Sequence, residues 1–247
     1  MGVRYYLSGC AHTRSFNNNL GNLLIKDIAQ TNNIVFIAGE PEDHEFTRGS
    51  AIWFLKELKR RHVVFDRYHV IISTTPYYLA QRWIKTADMI VLFGGNPLKQ
   101  KKMCKTLGIY KMLRDFDGIM LGMSAGAMLM SEKIIITPIS EEYPDLIIRD
   151  GLNKDGISIY PHNNTELDEY PECIERGNGE IYWRRDFFDA YDLAGPFYLL
   201  QDIHENIGSR DICHQSFIRA DGNVVIHYEN NGKAWIVNKN DINLIAK

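Results

Sequence analysis

The run Gly122-Met123-Ser124-Ala125-Gly126 has the spacing G-x-S-x-G. The apolar segment Gly118-Ile119-Met120-Leu121-Gly122 leads into it, and small residues with helix-forming character follow. In that strand–turn–helix context the pattern holds a serine hydroxyl above the edge of a sheet, where it can attack a carbonyl. The turn is tight, so its flanks must be small. The first N–H groups of the following helix have no intrahelical acceptor and can stabilise an oxyanion. The same residues also fit a plain turn in which Ser124 caps the helix. Gly94-Gly95-Asn96-Pro97 closes the preceding apolar run. It reads either as a second oxyanion donor beside the serine or as a glycine turn before a proline-started helix.

A serine nucleophile needs a base, and the chain has eight histidines. His162, in Ile159-Tyr160-Pro161-His162-Asn163-Asn164, ends a strand-like run. His12 and His44 also follow strand ends, and His204, His214 and His227 are later rivals. The base in turn needs a carboxylate to hold its tautomer. Glu141, Glu142 and Asp145 lie between Ser124 and His162, and Asp202 and Glu205 follow.

These residues must be carried on a scaffold, and the first half of the chain supplies one. Apolar runs at Val3–Leu7, Ile34–Gly39, Met89–Phe93 and Gly118–Gly122 alternate with helical spacing at Leu20–Ala29, around Ile52, Leu55 and Leu58, at Ala80–Lys85 and at Lys99–Leu107. Val63–Phe65 and Val70–Ile72 read as further strand pieces. Continuous apolar strands separated by helices predict a mainly parallel sheet covered on both faces, a three-layer α/β/α sandwich. Active sites in such sheets lie beyond the carboxyl ends of the strands, here after Gly39, Phe93 and Gly122. The second half predicts short strands at Ile134–Thr137 and Ile157–Tyr160, a helix over Thr165–Glu175 and an aromatic-rich stretch at Ile181–Tyr191. Strands at Phe217–Arg219, Val224–Tyr228 and Ala234–Val237, joined by Asp221-Gly222-Asn223 and Asn230-Asn231-Gly232, predict a C-terminal antiparallel meander. No linker or repeat divides the chain, so residues 1–247 read as one domain.

Composition excludes several classes. The chain is 45% hydrophobic and 24% charged, which is globular rather than disordered or fibrous. A net charge of −3 gives no basic footprint for nucleic acid. Four cysteines with no C-x-x-C pair argue against a disulfide framework or a structural zinc site. There is no apolar run of roughly 20 residues to span a bilayer. The start of the chain lacks a secretory signal, and Tyr6 stands where a myristoylation motif wants Ser or Thr. A cytoplasmic protein without metal is the expectation.

Three blocks in order resemble the peptidase E family of serine peptidases, which includes aspartyl dipeptidase, with cyanophycinase as a more distant relative. They are Phe93-Gly94-Gly95-Asn96, Gly122-Met123-Ser124-Ala125-Gly126-Ala127 and Tyr160-Pro161-His162-Asn163-Asn164. The resemblance spans about Met89 to Glu169, with Gln215–Val225 similar to the family's final hairpin. It implies a fold similar to class I glutamine amidotransferase domains, with serine replacing the amidotransferase cysteine. It implies hydrolysis of short peptides through an acyl-enzyme on Ser124, with His162 as general base and no cofactor. Gly95 and Ala125 become the oxyanion donors, and Gly94, Asn96 and Asn163 candidate substrate contacts. The family's orienting acid aligns nearest Glu141, with Glu142 adjacent. Dimers are common among relatives of this fold, so a homodimer is one assembly the resemblance allows. Two departures stand out. Cys213-His214-Gln215-Ser216 replaces an acidic residue frequent in relatives, so a late-acid triad would recruit Asp202 or Glu205. Arg176–Asp211 is longer than the family needs, and its Tyr182, Trp183, Phe187, Phe188 and Tyr191 would either line a pocket or form core. An esterase-like serine hydrolase, with His214 or His227 as base, and a catalytically impaired ligand-binding homologue are the competing expectations.

Overall fold

The structure is a computed structural model and describes residues 2–9, 18–138, 143–163, 173–175, 181–207, 210–222, 224–229, 232–239 and 241–245. Five parallel strands form one half of an eleven-stranded sheet: β1 (Arg4–Leu7), β2 (Asn33–Gly39), β3 (Arg67–Ile71), β4 (Met89–Gly95) and β5 (Ile119–Met123), in the order β1-β5-β4-β2-β3. Six helices separate or follow them: α1 (Asn18–Asp27), α2 (His44–Arg60), α3 (Tyr77–Lys85), α4 (Pro97–Thr106), α5 (Tyr110–Asp115) and α6 (Ala125–Met130).

Alternation along the strands sorts side chains into two cores, as strand geometry requires. Ile34 and Phe36, Met89, Val91 and Phe93, and Tyr5 and Leu7 meet Leu20 and Leu24 of α1 and Ala51, Phe54 and Leu58 of α2. Val35 and Ile37, Ile90 and Leu92 meet α3 through Ala80 and Ile84, α4 through Met103 and Cys104, and α6. The expected three-layer α/β/α sandwich is therefore present.

The second half opens with an antiparallel pair, β6 (Lys133–Ile136) and β7 (Ile147–Asp150). It continues with β8 (Ile159–Asn163), β9 (Cys173–Glu175), β10 (Ile181–Trp183), α7 (Arg184–Ala194), β11 (Phe197–Ile207), β12 (Arg210–Ala220), β13 (Val224–Glu229), β14 (Ala234–Asn238) and β15 (Asp241–Leu244). β12 runs antiparallel to β1 and carries the sheet onward through β11, β14 and β15. The first part of β11 lies between β14 and β8, and its second part pairs with β12. Its pairing with β8 is parallel and changes register between Leu199 and Gln201. A third core under α7 gathers Phe187, Tyr160, Phe197 and Trp235, so Phe187 of the aromatic stretch is core, with Phe188 and Tyr191 packed against it.

Several expectations need correction. Val63–Phe65 is a connection rather than a strand, with Val64 60% exposed. The α2 face turned inward is Thr47, Ser50, Ala51, Phe54 and Leu58, which leaves Ile52 46% exposed. Small residues let α2 approach the sheet closely, and a pattern read from large apolar residues alone misses that stripe. The end of the predicted helix Thr165–Glu175 is strand β9, and residues 164–172 lie outside the described residues. The C-terminal strands are antiparallel as expected, but β13 pairs with β12 and β14 with β11, so they do not form a simple meander. Among the described residues no helix is long and apolar enough to cross a membrane.

Candidate active site

The G-x-S-x-G run is the turn from β5 into α6. Ser124 sits there at φ 49°, ψ −111°, a backbone region that L-residues avoid. Its neighbours hold it. The Ser124 N–H donates to Leu7 O of β1 at 3.0 Å, and Ser124 O accepts from Met128 N–H at 3.0 Å. Both glycines are needed for space. A Cβ on Gly122 would lie 2.6 Å from Ala127 N, and one on Gly126 would lie 2.2 Å from Leu92 O of β4. The turn is thus packed directly against the neighbouring strand.

Ser124 Oγ lies 2.5 Å from His162 Nε2. His162 is on β8, 38 residues later, and has a positive φ of 61°. Its Nδ1 lies 2.8 Å from Oδ2 of Asp202 on β11. The imidazole is 37% exposed and the carboxylate 9%, so the carboxylate is the more enclosed of the two. Among the described residues, Asp202 is the carboxylate that meets His162. Glu141 and Glu142, the acids that align with the family, lie outside the described residues, and Asp145 is exposed in the segment before β7.

A cavity of about 450 Å³ opens over this group, lined by Glu40, Asp43, Phe46, Gly94, Gly95, Ser124, His162 and Asp202. Gly94 leaves the serine uncovered, since a Cβ there would lie 3.3 Å from Ser124 Cβ and 3.8 Å from its Oγ. Gly95 has φ 139°, and a Cβ on it would meet Gly39 C at 2.6 Å, so the ends of β2 and β4 approach backbone to backbone. Ala125 is buried directly behind Ser124, and its N–H belongs to the first turn of α6, before the i→i−4 ladder starts.

Not every expected contact reaches the cavity. Asn96 is 7% exposed and caps α4, its Oδ1 accepting from Leu98 N–H and Lys99 N–H at 3.0 Å each, while its amide meets Tyr143 OH. Asn163 is buried at the end of β8. Neither lines the cavity. His44 contacts Ser73 Oγ instead, at 3.3 Å. His12 and the side chains of His204, His214 and His227 lie outside the described residues. No group of three His, Cys, Asp or Glu side chains among the described residues has a metal-holding arrangement.

The sequence reading missed Glu40, Asp43 and Phe46, which follow β2 and open α2. The signal was available, because the run ends at Gly39 on the edge where such sites form. It also missed Ser8 and Gly9 at the end of β1. The Ser8 hydroxyl, fully buried, donates to Leu200 O at 2.8 Å and accepts from His162 N–H at 2.9 Å. A Cβ on Gly9 would lie 1.9 Å from Asp202 Oδ2.

No protein-family model matches this sequence, and no curated protein matches it. Solved structures do match its fold. One is a protein from Listeria monocytogenes EGD-e named after peptidase E, with a TM-score of 0.56 at 16% identity, covering 93% of this chain and 99% of that one. Another is a peptidase from an acI-B1 Actinobacterium, with a TM-score of 0.58 at 13% identity, covering 100% of this chain and 94% of the other. At these identities the likeness speaks for the architecture, and the chain has a peptidase E-like fold.

Proposed function

We propose that the protein is a serine peptidase that hydrolyses short peptides through an acyl-enzyme on Ser124. The observation that carries this reading is the continuous run from Ser124 Oγ to His162 Nε2 at 2.5 Å, and from His162 Nδ1 to Asp202 Oδ2 at 2.8 Å, at the floor of an open cavity. The names of the fold neighbours, both peptidases, agree with it.

In this reading His162 Nε2 accepts the hydroxyl proton as Ser124 Oγ attacks the peptide carbonyl carbon. Asp202 accepts a hydrogen bond from His162 Nδ1–H, which fixes the tautomer and stabilises the imidazolium that forms. The N–H groups of Gly95 and Ala125 face the developing oxyanion, each donor worth about 3–4 kcal/mol in comparable serine enzymes. The C–N bond breaks as the imidazolium returns its proton to the leaving amine. Water, deprotonated by His162, then releases the acyl group and regenerates the serine. Asp202 takes the orienting role in place of Glu141, because among the described residues it is the carboxylate at hydrogen-bonding distance.

The test is intact-mass analysis after treatment with a fluorophosphonate, applied to the native chain, Ser124→Ala and His162→Ala. A single adduct on the native chain, absent from both variants, is expected. A native chain that stays unmodified by a reagent batch that labels an established serine hydrolase, or an adduct that survives Ser124→Ala, would overturn the reading.

A further inference from the structure

Two strands that carry the base and its acid, β8 and β11, do not pair regularly where the site needs them. Their parallel register shifts between Leu199 and Gln201. A register shift breaks the ladder locally and leaves backbone groups to be satisfied in other ways, while re-aiming the residues beyond it. Leu200 O and His162 N–H are such groups, and both are answered by one side chain from a third strand. The Ser8 hydroxyl donates to Leu200 O at 2.8 Å and accepts from His162 N–H at 2.9 Å, with no exposure to solvent. Its own N–H reaches Ser216 O on β12, at 3.4 Å.

The next residue deals with the acid. Asp202 is the first β11 residue to pair with β12, opposite Gln215, just past the shift. Its carboxylate occupies the space a side chain at position 9 would fill, for a Cβ on Gly9 would lie 1.9 Å from Oδ2, 2.5 Å from Cγ and 2.8 Å from Oδ1. No rotation of a Cβ avoids that overlap, so any side chain there would move the carboxylate off His162 Nδ1.

We infer that the Ser8-Gly9 step at the end of β1 is the positioning element of the His162–Asp202 pair, with Ser8 setting the backbone of the base and Gly9 admitting the carboxylate. The inference rests on the serine peptidase reading for its catalytic consequence but not for its geometry. Neither residue lines the cavity, so both act through others. β1 also accepts the Ser124 N–H through Leu7 O, so three successive residues, Leu7, Ser8 and Gly9, locate the nucleophile, the base and the acid.

The experiment has two readouts on the full chain. The first is the proton NMR signal of the His162 ring N–H shared with Asp202, which is shifted far downfield and is independent of Ser124 reactivity. Asp202→Ala identifies it. Gly9→Ala is expected to abolish the signal, and Ser8→Ala to shift or broaden it. The second is the rate of fluorophosphonate modification of Ser124, expected to fall about 10²-fold in Gly9→Ala and in Ser8→Ala, the scale of a misplacement near 1 Å. In an Asp202→Ala background Gly9→Ala has nothing left to displace and should change the rate less than about twofold, a non-additivity that general destabilisation would not produce. The inference is overturned if Gly9→Ala keeps the ring-proton signal, if it costs the same factor in both backgrounds, or if Ser8→Ala leaves signal and rate at native values. A native chain that shows the signal, loses it in Gly9→Ala and yet takes no fluorophosphonate would uphold the positioning role and remove the peptidase reading.

Discussion

Ser124 is held in a conformation that costs about 1–3 kcal/mol for a residue with a side chain, and the cost is met by bonds to Leu7 O and Met128 N–H on either side. Such a serine is not a cap that happens to be exposed, since its side chain makes no capping bond to α6. The choice of acid can be argued at the same scale. Asp202 is 9% exposed and 2.8 Å from the base, so exchanging its oxygen for an amide should present the wrong group to Nδ1–H and disfavour the productive tautomer. On the serine peptidase proposal, Asp202→Asn is therefore expected to lower kcat/KM for peptide hydrolysis by roughly 10³-fold or more, with KM little altered. Glu141→Gln should cost much less, and the reverse order would return the orienting role to Glu141. The serine and the glycine turn were legible in sequence as local patterns, whereas His162 stood among several histidines until the family resemblance singled it out. The acid was not legible as a local pattern. Asp202 reaches His162 through a register shift between strands 40 residues apart, and nothing in the residues around position 202 records that shift. The sequence put Glu141 first, from the family resemblance, with Glu142, Asp202 and Glu205 as alternatives.

At the scale of elements, the site depends on how closely α6 is laid on β4. A methyl at Gly126 would sit 2.2 Å from Leu92 O, a backbone atom in the centre of the sheet that cannot rotate away. Gly126→Ala is expected to destabilise the fold by about 1–3 kcal/mol, the usual cost of overpacking, seen as a lower urea midpoint at unchanged m. Gly49 makes the contrast. It lies on the exposed side of α2, where an added Cβ would have nothing within 4 Å and the backbone is ordinary helix. Gly49→Ala should stabilise by about 0.5–1 kcal/mol, because alanine loses less backbone freedom on folding. Equal effects of the two substitutions would mean that the α6–β4 contact can relax, and would weaken the steric account of the turn. The parallel strands and most of their helices were readable because buried strands are long apolar runs. β11 was not, since Gln201, Asp202, His204, Glu205 and Asn206 interrupt it, and polar residues at a site edge look like a loop. Val63–Phe65 failed in the opposite sense, as three apolar-rich residues too short to pair and left connecting α2 to β3.

The molecule as a whole is tied across its layers by hydroxyls that must stay protonated. Tyr5 and Tyr6 are adjacent on β1 and so point to opposite faces of the sheet. Tyr5 OH donates to Asp27 at the end of α1, which Arg219 of β12 also holds through Nε at 2.7 Å and a terminal nitrogen at 2.9 Å. Tyr6 OH donates to Asp155 on the other side. Burial, together with these carboxylates, pushes both phenols well above their ordinary range. Burial likewise raises the Cys104 thiol to about 12 and pushes Tyr110 up. Each of these groups releases its proton at a lower pH in the unfolded chain than in the folded one. The unfolded state then binds fewer protons, so stability falls as pH rises, at about 1.4 kcal/mol per pH unit for each proton of difference. The loss starts near pH 9, where the free thiol ionises, and steepens above about 10, where free tyrosines do. Lys154 works against this in part. Burial lowers its ammonium to about 8, so between there and the ordinary lysine value the unfolded chain binds more protons and stability gains. Lys154, joined by Lys101, whose ammonium burial also lowers, is outweighed by a thiol and three phenols once the pH passes the tyrosine range. The urea midpoint should therefore change little from pH 8 to 9 and drop steeply from pH 10 to 11. Tyr5→Phe, although it loses the bond to Asp27 and starts lower at pH 8, should show a shallower drop over the same interval. A native midpoint constant to pH 11, or a Tyr5→Phe profile parallel to the native one, would show that the layers are not held together by protonated hydroxyls and that β1 serves the site alone.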